Sequence, residues 1–347
     1  MEYRRRWLIY GANGYTGELI GREAVRRGHR PILAGRSAVR VEPLARELGC
    51  DARVFALDRI DDALDDVGLV LHCAGPFIAT SAPMVAACLR SGAHYLDITG
   101  EIAVFEAIMK QNADAVARGV TLLPGAGFDV VPTDCLAAML AARMPDATEL
   151  LLAFQMRGGG ISRGTSKTMI ESIGEGGAIR RDGSIIRVPV AYDVREIPFS
   201  SGNQMAMTIP WGDVSTAYHT THIPNIRVYA AASPKTIRRV RLARPLLPLL
   251  SPKPIRRLLQ RLAERRSGPD ERQRAAGRVY LWGAVSNARG DSISMTMMTP
   301  EAYAFTVVSA VNAAERVLEN PRPGAWTPAR LLGPDFVTTI PGVTVTD

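Results

Sequence analysis

Cysteine is scarce in this chain: four in 347 residues, Cys50, Cys73, Cys88 and Cys135, with no C-x-x-C pair. That scarcity excludes a disulfide framework or a thiolate zinc site and fits a reducing compartment, so the expected location is the cytoplasm. Aromatic residues make up only 6%, and no basic motif interleaved with aromatics is present, which argues against nucleic acid as partner. No apolar run approaches the roughly 18 to 20 residues of a membrane span. The start, Met1-Glu2-Tyr3-Arg4-Arg5-Arg6, leads straight into the first apolar run, and no secretory leader is expected. Acidic residues are outnumbered, 34 to 42, for a formal charge of +8. The excess is local: residues 235–278 hold fourteen Lys and Arg against three acidic residues.

Hydrophobic residues at 47% and charged residues at 22% describe an ordinary globular protein. Its length suits two domains better than one core. The run Trp7-Leu8-Ile9-Tyr10 reads as a buried strand, and residues 18–27 as a helix with Leu19, Ile20, Ala24 and Val25 on one face. Between them lies Gly11-Ala12-Asn13-Gly14-Tyr15-Thr16-Gly17. At such a strand-to-helix turn Gly11 allows the tight turn, Gly14 lets the backbone approach a pyrophosphate, and Gly17 lets helix and strand pack closely. The helix N-terminus then offers N–H groups and partial positive charge to phosphates. A second strand, Pro31-Ile32-Leu33-Ala34, ends at Gly35-Arg36-Ser37. An NAD site would place Asp or Glu there for the ribose 2′-hydroxyl; Arg36 instead suits a 2′-phosphate, with Ser37 adding donors. The expected cofactor is therefore NADP(H).

The alternation of strand and helix continues, which predicts a doubly wound parallel α/β sheet of Rossmann type. Residues 43–48 read as a helix, 53–57 as a strand ending at Asp58, 68–74 as a strand running into Gly75-Pro76-Phe77, 81–91 as a helix and 95–98 as a strand. Residues 102–118 read as one long helix and 120–123 as a strand leading to Pro124-Gly125-Ala126-Gly127-Phe128-Asp129. From residue 148 strands dominate: 150–156, 185–190, 217–222, 227–231, 279–285 and 292–298. The reading is thus 1–130 as the dinucleotide-binding domain with 300–347 returning to it through a helix at 303–318, and 131–299 as a second α+β domain with a mixed or antiparallel sheet.

In open parallel sheets ligands lie beyond the carboxyl ends of the strands, where Asp58, Cys73, Asp97 and Pro124 fall. Alternation puts Asp97 and Thr99 on one side, a candidate pair for orienting substrate, while Asp97 or Glu101 could equally cap the helix that follows. Cys73 has no neighbouring cation or base to activate it as a nucleophile. Asp129 is a candidate for touching ligand or for an Asx-turn. The stretch Arg163-Gly-Thr-Ser166-Lys167 could close over a ligand, Arg163 meeting phosphate or carboxylate, or be an ordinary loop and cap. His219 and His222 would suit a metal on a helix; Thr220, Thr221 and Ile223 favour a strand that turns them to opposite faces, and no metal is expected.

The stretches Gly11-Ala-Asn-Gly-Tyr-Thr-Gly17, Leu33-Ala-Gly-Arg36, Cys73-Ala-Gly-Pro-Phe77, Tyr95-Leu-Asp-Ile-Thr-Gly-Glu101, Gly125-Ala-Gly-Phe-Asp-Val-Val-Pro-Thr-Asp134, Arg163-Gly-Thr-Ser166 and Pro323-Gly-Ala-Trp-Thr-Pro328 run along almost the whole chain. On these motifs the sequence resembles the saccharopine dehydrogenase-like NADP-binding family, and within it the trans-acting enoyl reductases of complex lipid assembly. The resemblance implies an NADP-dependent oxidoreductase, with Cys73, Ala74, Gly75 and Pro76 near the nicotinamide half of the cofactor. The expected reaction is reduction of a conjugated C=C in an acyl substrate, free or carrier-bound. Donors near Gly75 or Gly100, or the Thr99 hydroxyl, would stabilise the enolate, and Tyr15 is one candidate proton source. An amino-acid C–N dehydrogenase, with Arg157 and Arg163 for carboxylates, and a non-catalytic NADP-binding lipid-associated protein stand as alternatives. The basic segment reads as two amphipathic helices around prolines, suited to the inner face of a membrane or to an acidic acyl-carrier domain. A homodimer is left open.

Overall fold

The computed structural model describes residues 6–162, 164–166, 170, 176–246, 252, 255 and 268–347. The chain divides into two compact units, Met1–Phe128 with Phe305–Leu332, and Asp129–Ala304 with Gly333–Asp347.

In the first unit, β1 (Trp7–Tyr10), β2 (Ile32–Gly35), β3 (Ala52–Val54), β4 (Leu69–His72), β5 (His94–Asp97), β6 (Thr121–Leu123) and β15 (Gly324–Ala325; β7 to β14 belong to the second unit) form a parallel sheet in the order β15-β6-β5-β4-β1-β2-β3. Every residue of β1, β2 and β4 is buried. Their unbroken apolar runs suit a sheet covered on both faces, where an alternating strand would leave polar side chains inside. The order reverses at β1, between β4 and β2, which opens a crevice beyond the carboxyl ends of these strands. The covering helices are α1 (Tyr15–Arg26), α2 (Ala38–Leu48), α3 (Phe77–Ser91), α4 (Ile102–Met109) and α5 (Asn112–Ala117). The helix Ala302–Glu319 adds Phe305, Val311, Ala314 and Val317 to the buried set.

Several boundaries differ from expectation: α3 begins at Phe77, four residues early, and β3 ends at Val54, short of Asp58. α1 begins at Tyr15, three residues early, directly on the glycine turn. α2 begins at Ala38 and carries Pro43 inside it. The expected single helix over 102–118 is broken at Lys110-Gln111, and Asn112 beyond the break accepts from the Ala325 N–H with its Oδ1 at 3.0 Å. That bond secures the short edge strand β15, a long-range partner that helical periodicity cannot reveal.

The second unit is built on β7 (Ala147–Arg157), β8 (Gly177–Arg181), β9 (Ser184–Val188), β10 (Val194–Phe199), β11 (Gly202–Thr208), β12 (Asn225–Ala231), β13 (Arg278–Asn287), β14 (Ser292–Pro300) and β16 (Thr344–Thr346). Their main path is β10-β11-β12-β7-β13-β14-β16, with β8 paired to β12 and β9. β12 and β7 are parallel and the other pairs antiparallel. α6 (Val131–Arg143) lies on one face, and Gly283 makes room for it: a Cβ there would stand 2.8 Å from Leu140 Cδ1.

The expected strand over 217–222 is instead part of the helix Asp213–Thr221, closed by His222 in the left-handed conformation, φ 59°. β-branched Thr220 and Thr221 yield to tertiary packing, which buries Asp213, Val214, Ser215, Thr216 and Ala217 together. His219 and His222 therefore share a helix end, and among the described residues no group of three or more His, Cys, Asp or Glu is placed to hold a metal. The last fifteen residues do not return to the first unit with the helix, because β16 pairs with β14.

Candidate functional site

The site is assembled where β1, β2 and β4 end. Gly11 turns the chain with φ 83°, a region L side chains rarely adopt. The Gly11 and Ala12 N–H groups both donate to the Ala34 carbonyl, at 2.8 and 3.1 Å, fixing the turn to the end of β2. A Cβ on Gly11 would lie 2.9 Å from both Cβ and N of Ala74, so the same turn sits against the loop after β4. A Cβ on Gly17 would run into the Gly11 carbonyl oxygen. α1 therefore starts in direct contact with the turn, and its first-turn N–H groups at Thr16 and Gly17 have no carbonyl partner within the helix. Such a start suits a phosphate.

Arg36 and Ser37 follow β2 at once. Arg36 is exposed and has no ion pair among the described residues. Ser37 is the N-cap of α2, yet its hydroxyl does not cap the helix. Asn13 reaches over the strand end, its Oδ1 2.9 Å from where a Cβ on Gly35 would stand. The buried Tyr10 hydroxyl donates to the Phe55 carbonyl at 3.2 Å. Burial raises its pKa, Arg36 opposes that rise and Asp58 reinforces it, which puts both charges within reach of the end of β1.

On the other side of the switch point, the Cys73 N–H donates to the Tyr10 carbonyl at 2.7 Å, and the Gly75–Pro76 peptide is cis. Burial, with Asp97 adding to it, pushes the Cys73 thiol far up, so it presents no thiolate. His72, to which no role attached from sequence, is fully buried beside the Tyr10 ring, 5.5 Å between centroids. Burial lowers its pKa to about 3, and the ring is neutral at pH 7. Its Nε2 lies 3.0 Å from Thr80 Oγ1, which itself donates to the Ala74 carbonyl at 2.7 Å. Thr80 must therefore accept from His72, which assigns the Nε2–H tautomer and leaves buried Nδ1 as an acceptor without a donor among the described residues. A histidine in the last place of a buried apolar strand was the available signal.

Asp97 and Thr99 do not line the crevice as alternation predicted: both are fully buried. Asp97 accepts from the Thr99 N–H at 2.9 Å, the Gly125 N–H at 2.8 Å and the Tyr95 hydroxyl at 2.7 Å. It ties the end of β5 to the loop after β6. Thr99 Oγ1 accepts from the Glu101 N–H at 3.1 Å. These side chains close the backbone around the strand ends, where N–H groups would otherwise be buried unpaired. Glu101 is a cap, but its carboxylate caps α3, not α4: it accepts from the N–H groups of Phe77 at 2.9 Å and Ile78 at 2.7 Å. It thereby anchors the helix that carries the Cys73–Pro76 loop. Replacing Glu101 with alanine should cost about 1 kcal/mol and lower the melting temperature; an unchanged melt would show that water caps α3 equally well.

Tyr15 opens α1, and Asp58 is exposed just after β3. Asp129 belongs to the second unit, where its backbone carbonyl accepts from the Trp211 indole N–H. Arg163 and Lys167 lie outside the described residues. Asp213 is fully buried and accepts from Thr133 Oγ1 at 2.9 Å; burial, reinforced by Asp134, holds its carboxyl well above the ordinary range. Asp134, in the first turn of α6, accepts from Thr220 at 2.6 Å.

A parallel sheet that reverses order beside a glycine turn, with a helix start behind it, defines a dinucleotide-binding unit. Residues 7–123 match the family described as Saccharopine dehydrogenase NADP binding domain, and the dinucleotide-binding unit belongs to that domain family. It is similar to the trans-acting enoyl reductase of Mycobacterium ulcerans, 33% identical over 141 residues that cover 37% of this chain and 33% of that one. It is also similar to the saccharopine dehydrogenase-like oxidoreductase of Rattus norvegicus, 28% identical over 204 residues, 50% and 47% of the two chains. The chain spans less than half the length of these curated relatives. In structure it is similar to apo saccharopine dehydrogenase (L-Glu forming) from Saccharomyces cerevisiae, with a TM-score of 0.68 at 11% identity, covering 99% of this chain and 100% of that one. That likeness is one of fold.

Proposed function

We propose that this protein is an NADPH-dependent reductase acting on a conjugated carbon–carbon double bond in a hydrophobic acyl substrate. The observation that carries the cofactor reading is Arg36, exposed at the end of β2 and without an ion pair among the described residues, next to a Ser37 hydroxyl that does not cap α2. The residues fit the group: Gly11 and Gly17 let α1 start directly on the turn, where a Cβ would meet Ala74 or the Gly11 carbonyl, and the Thr16 and Gly17 N–H groups are left for phosphate. In this reading Arg36 and Ser37 hold the 2′-phosphate, while Cys73 to Pro76, against Gly11 across the switch point, takes the nicotinamide half. When bound, NADPH supplies hydride to the β-carbon of the substrate. The Gly75 and Gly100 N–H groups are the proposed donors to the developing enolate oxygen, and Tyr15 is the proposed proton source for the α-carbon. Thr99 and Asp97, buried and engaged with backbone, are left as positioning residues.

The double-bond reading rests on the relatives named as trans-acting enoyl reductases. NADPH oxidation should be followed with trans-2-enoyl thioesters of several chain lengths and, in parallel, with 2-oxo acids plus an amino donor. Turnover that depends on the enoyl thioester is the expected result. Turnover only with the oxo acid and amine would replace this reading with that of a C–N dehydrogenase.

A further inference from the structure

The helix Pro234–Ala243 and the turn that continues it to residue 246 belong to the basic segment, and they have two unlike sides. Ser233 starts the helix, accepting from the Thr236 N–H at 3.2 Å. One side faces the second unit: Ile237 is buried, Arg244 Nε donates to the Val190 carbonyl at 2.7 Å, and Arg244 Nη2 and Arg241 Nε donate to the Ala191 carbonyl at 2.6 and 3.3 Å. Two arginines thus act as fasteners. At about 100° per residue, Lys235, Arg238, Arg239 and Leu242 fall on the opposite side, and Leu246 follows four residues on. All five are exposed, Leu242 at 69% and Leu246 at 58%. Lys235, Arg238 and Arg239 have no ion pair among the described residues. A solvated cationic helix needs no leucines on its outermost line, and an anion-binding helix alone gains nothing from them. The sequence that follows keeps the same composition, with Leu247, Leu249, Leu250, Arg256, Arg257, Leu258 and Leu259 between prolines.

We propose that this outer stripe docks on the surface of an anionic phospholipid bilayer, with Leu242 and Leu246 entering the boundary between headgroups and acyl chains and the three cations meeting lipid phosphates. Charge complementarity selects this occupant, since fourteen basic residues against three acidic ones in 235–278 exceed the charge of the entire chain. Leucine flanked by cations is the pattern of interfacial helices, which lie in the membrane plane. No helix among the described residues is long and apolar enough to cross a membrane, and the contact is peripheral. Docking does not depend on which double bond the protein reduces.

The test uses the full chain and vesicles of phosphatidylcholine with or without phosphatidylglycerol, read by co-sedimentation at low and at physiological salt. Three cations near an anionic surface predict about a hundred-fold tighter binding to the phosphatidylglycerol vesicles, weakened by salt. R238E/R239E should remove the preference for anionic lipid. L242S/L246S should lower binding at least about ten-fold while the salt dependence persists, and V116S, at an exposed position on α5, should change nothing. All three variants should keep the parent melting temperature, since every altered side chain is exposed. Equal sedimentation of parent and variants would overturn the proposal. So would binding to an acidic acyl-carrier protein without binding to vesicles, which would make the occupant a protein.

Discussion

Replacing Arg36 with alanine is expected to weaken NADPH binding by about ten- to a hundred-fold while leaving NADH binding within about two-fold. Hydrogen bonds to a charged group contribute about 1.5 to 3 kcal/mol, and a guanidinium can make two in parallel to a phosphate. Arg36 is exposed and has no ion pair among the described residues, so no carboxylate there has to be displaced when the phosphate binds. NADH has a hydroxyl where NADPH has the phosphate, so its binding should hardly notice the loss. Arg36→Lys should fall between, since a point charge replaces a planar fork, and Ser37→Ala should cost less than either. Fluorescence titration with both cofactors at one fixed ionic strength decides the matter. Equal weakening of both would mean that Arg36 does not read the 2′-phosphate.

Asp97→Ala should be the most damaging single change in the first unit, at about 4 kcal/mol, because three buried donors lose their acceptor at once. Asp97→Asn keeps the shape and one acceptor but presents N–H to a donor, and should cost less. The two also separate by pH. Burial, outweighing the three hydrogen bonds, pushes the Asp97 carboxyl up to about 6, against about 3.9 in an unfolded chain. The folded state therefore holds the extra proton between those values. The stability this provides is fully present below about pH 4 and is lost as pH rises through about 6. Between pH 5 and pH 8 the loss should be about 1.4 kcal/mol, and it should be missing from Asp97→Asn. Urea denaturation of parent and variant at both pH values provides the comparison; parallel pH profiles would show that Asp97 does not titrate in this range.

The parallel sheet and the glycine turn were legible because their causes are local. Trp7 to Tyr10, Ile32 to Gly35 and Leu69 to His72 are apolar along their whole length, and only a strand covered on both faces accommodates that. Gly11 has a conformation that other residues avoid, and Gly17 has no room for a side chain. Less was legible in the second unit. β8, β10 and β11 mix polar and apolar residues and were not anticipated, because one or both faces meet solvent or polar partners. The helix Asp213–Thr221 overrode the β-branched character of its own end through burial.

Among the polar residues the division is sharper. Asp97, Thr99 and Glu101 stand in sequence as a row of ligand-like groups, and their identity as backbone ties depends on partners at Gly125, Phe77 and Ile78 that only the fold brings near. His72 acquires its neutral tautomer from Thr80 across the loop, and the outward stripe of Lys235, Arg238, Arg239 and Leu242 exists only because Arg241 and Arg244 hold the other side down. The sequence by itself determined the glycine turn, the place of Arg36 directly after the second strand and the alternation of strand and helix, all of which follow from steric limits and periodicity within a few residues. Tertiary structure alone decided which charges are buried and which meet solvent, because burial and hydrogen-bond partners are properties of segments far apart in the chain.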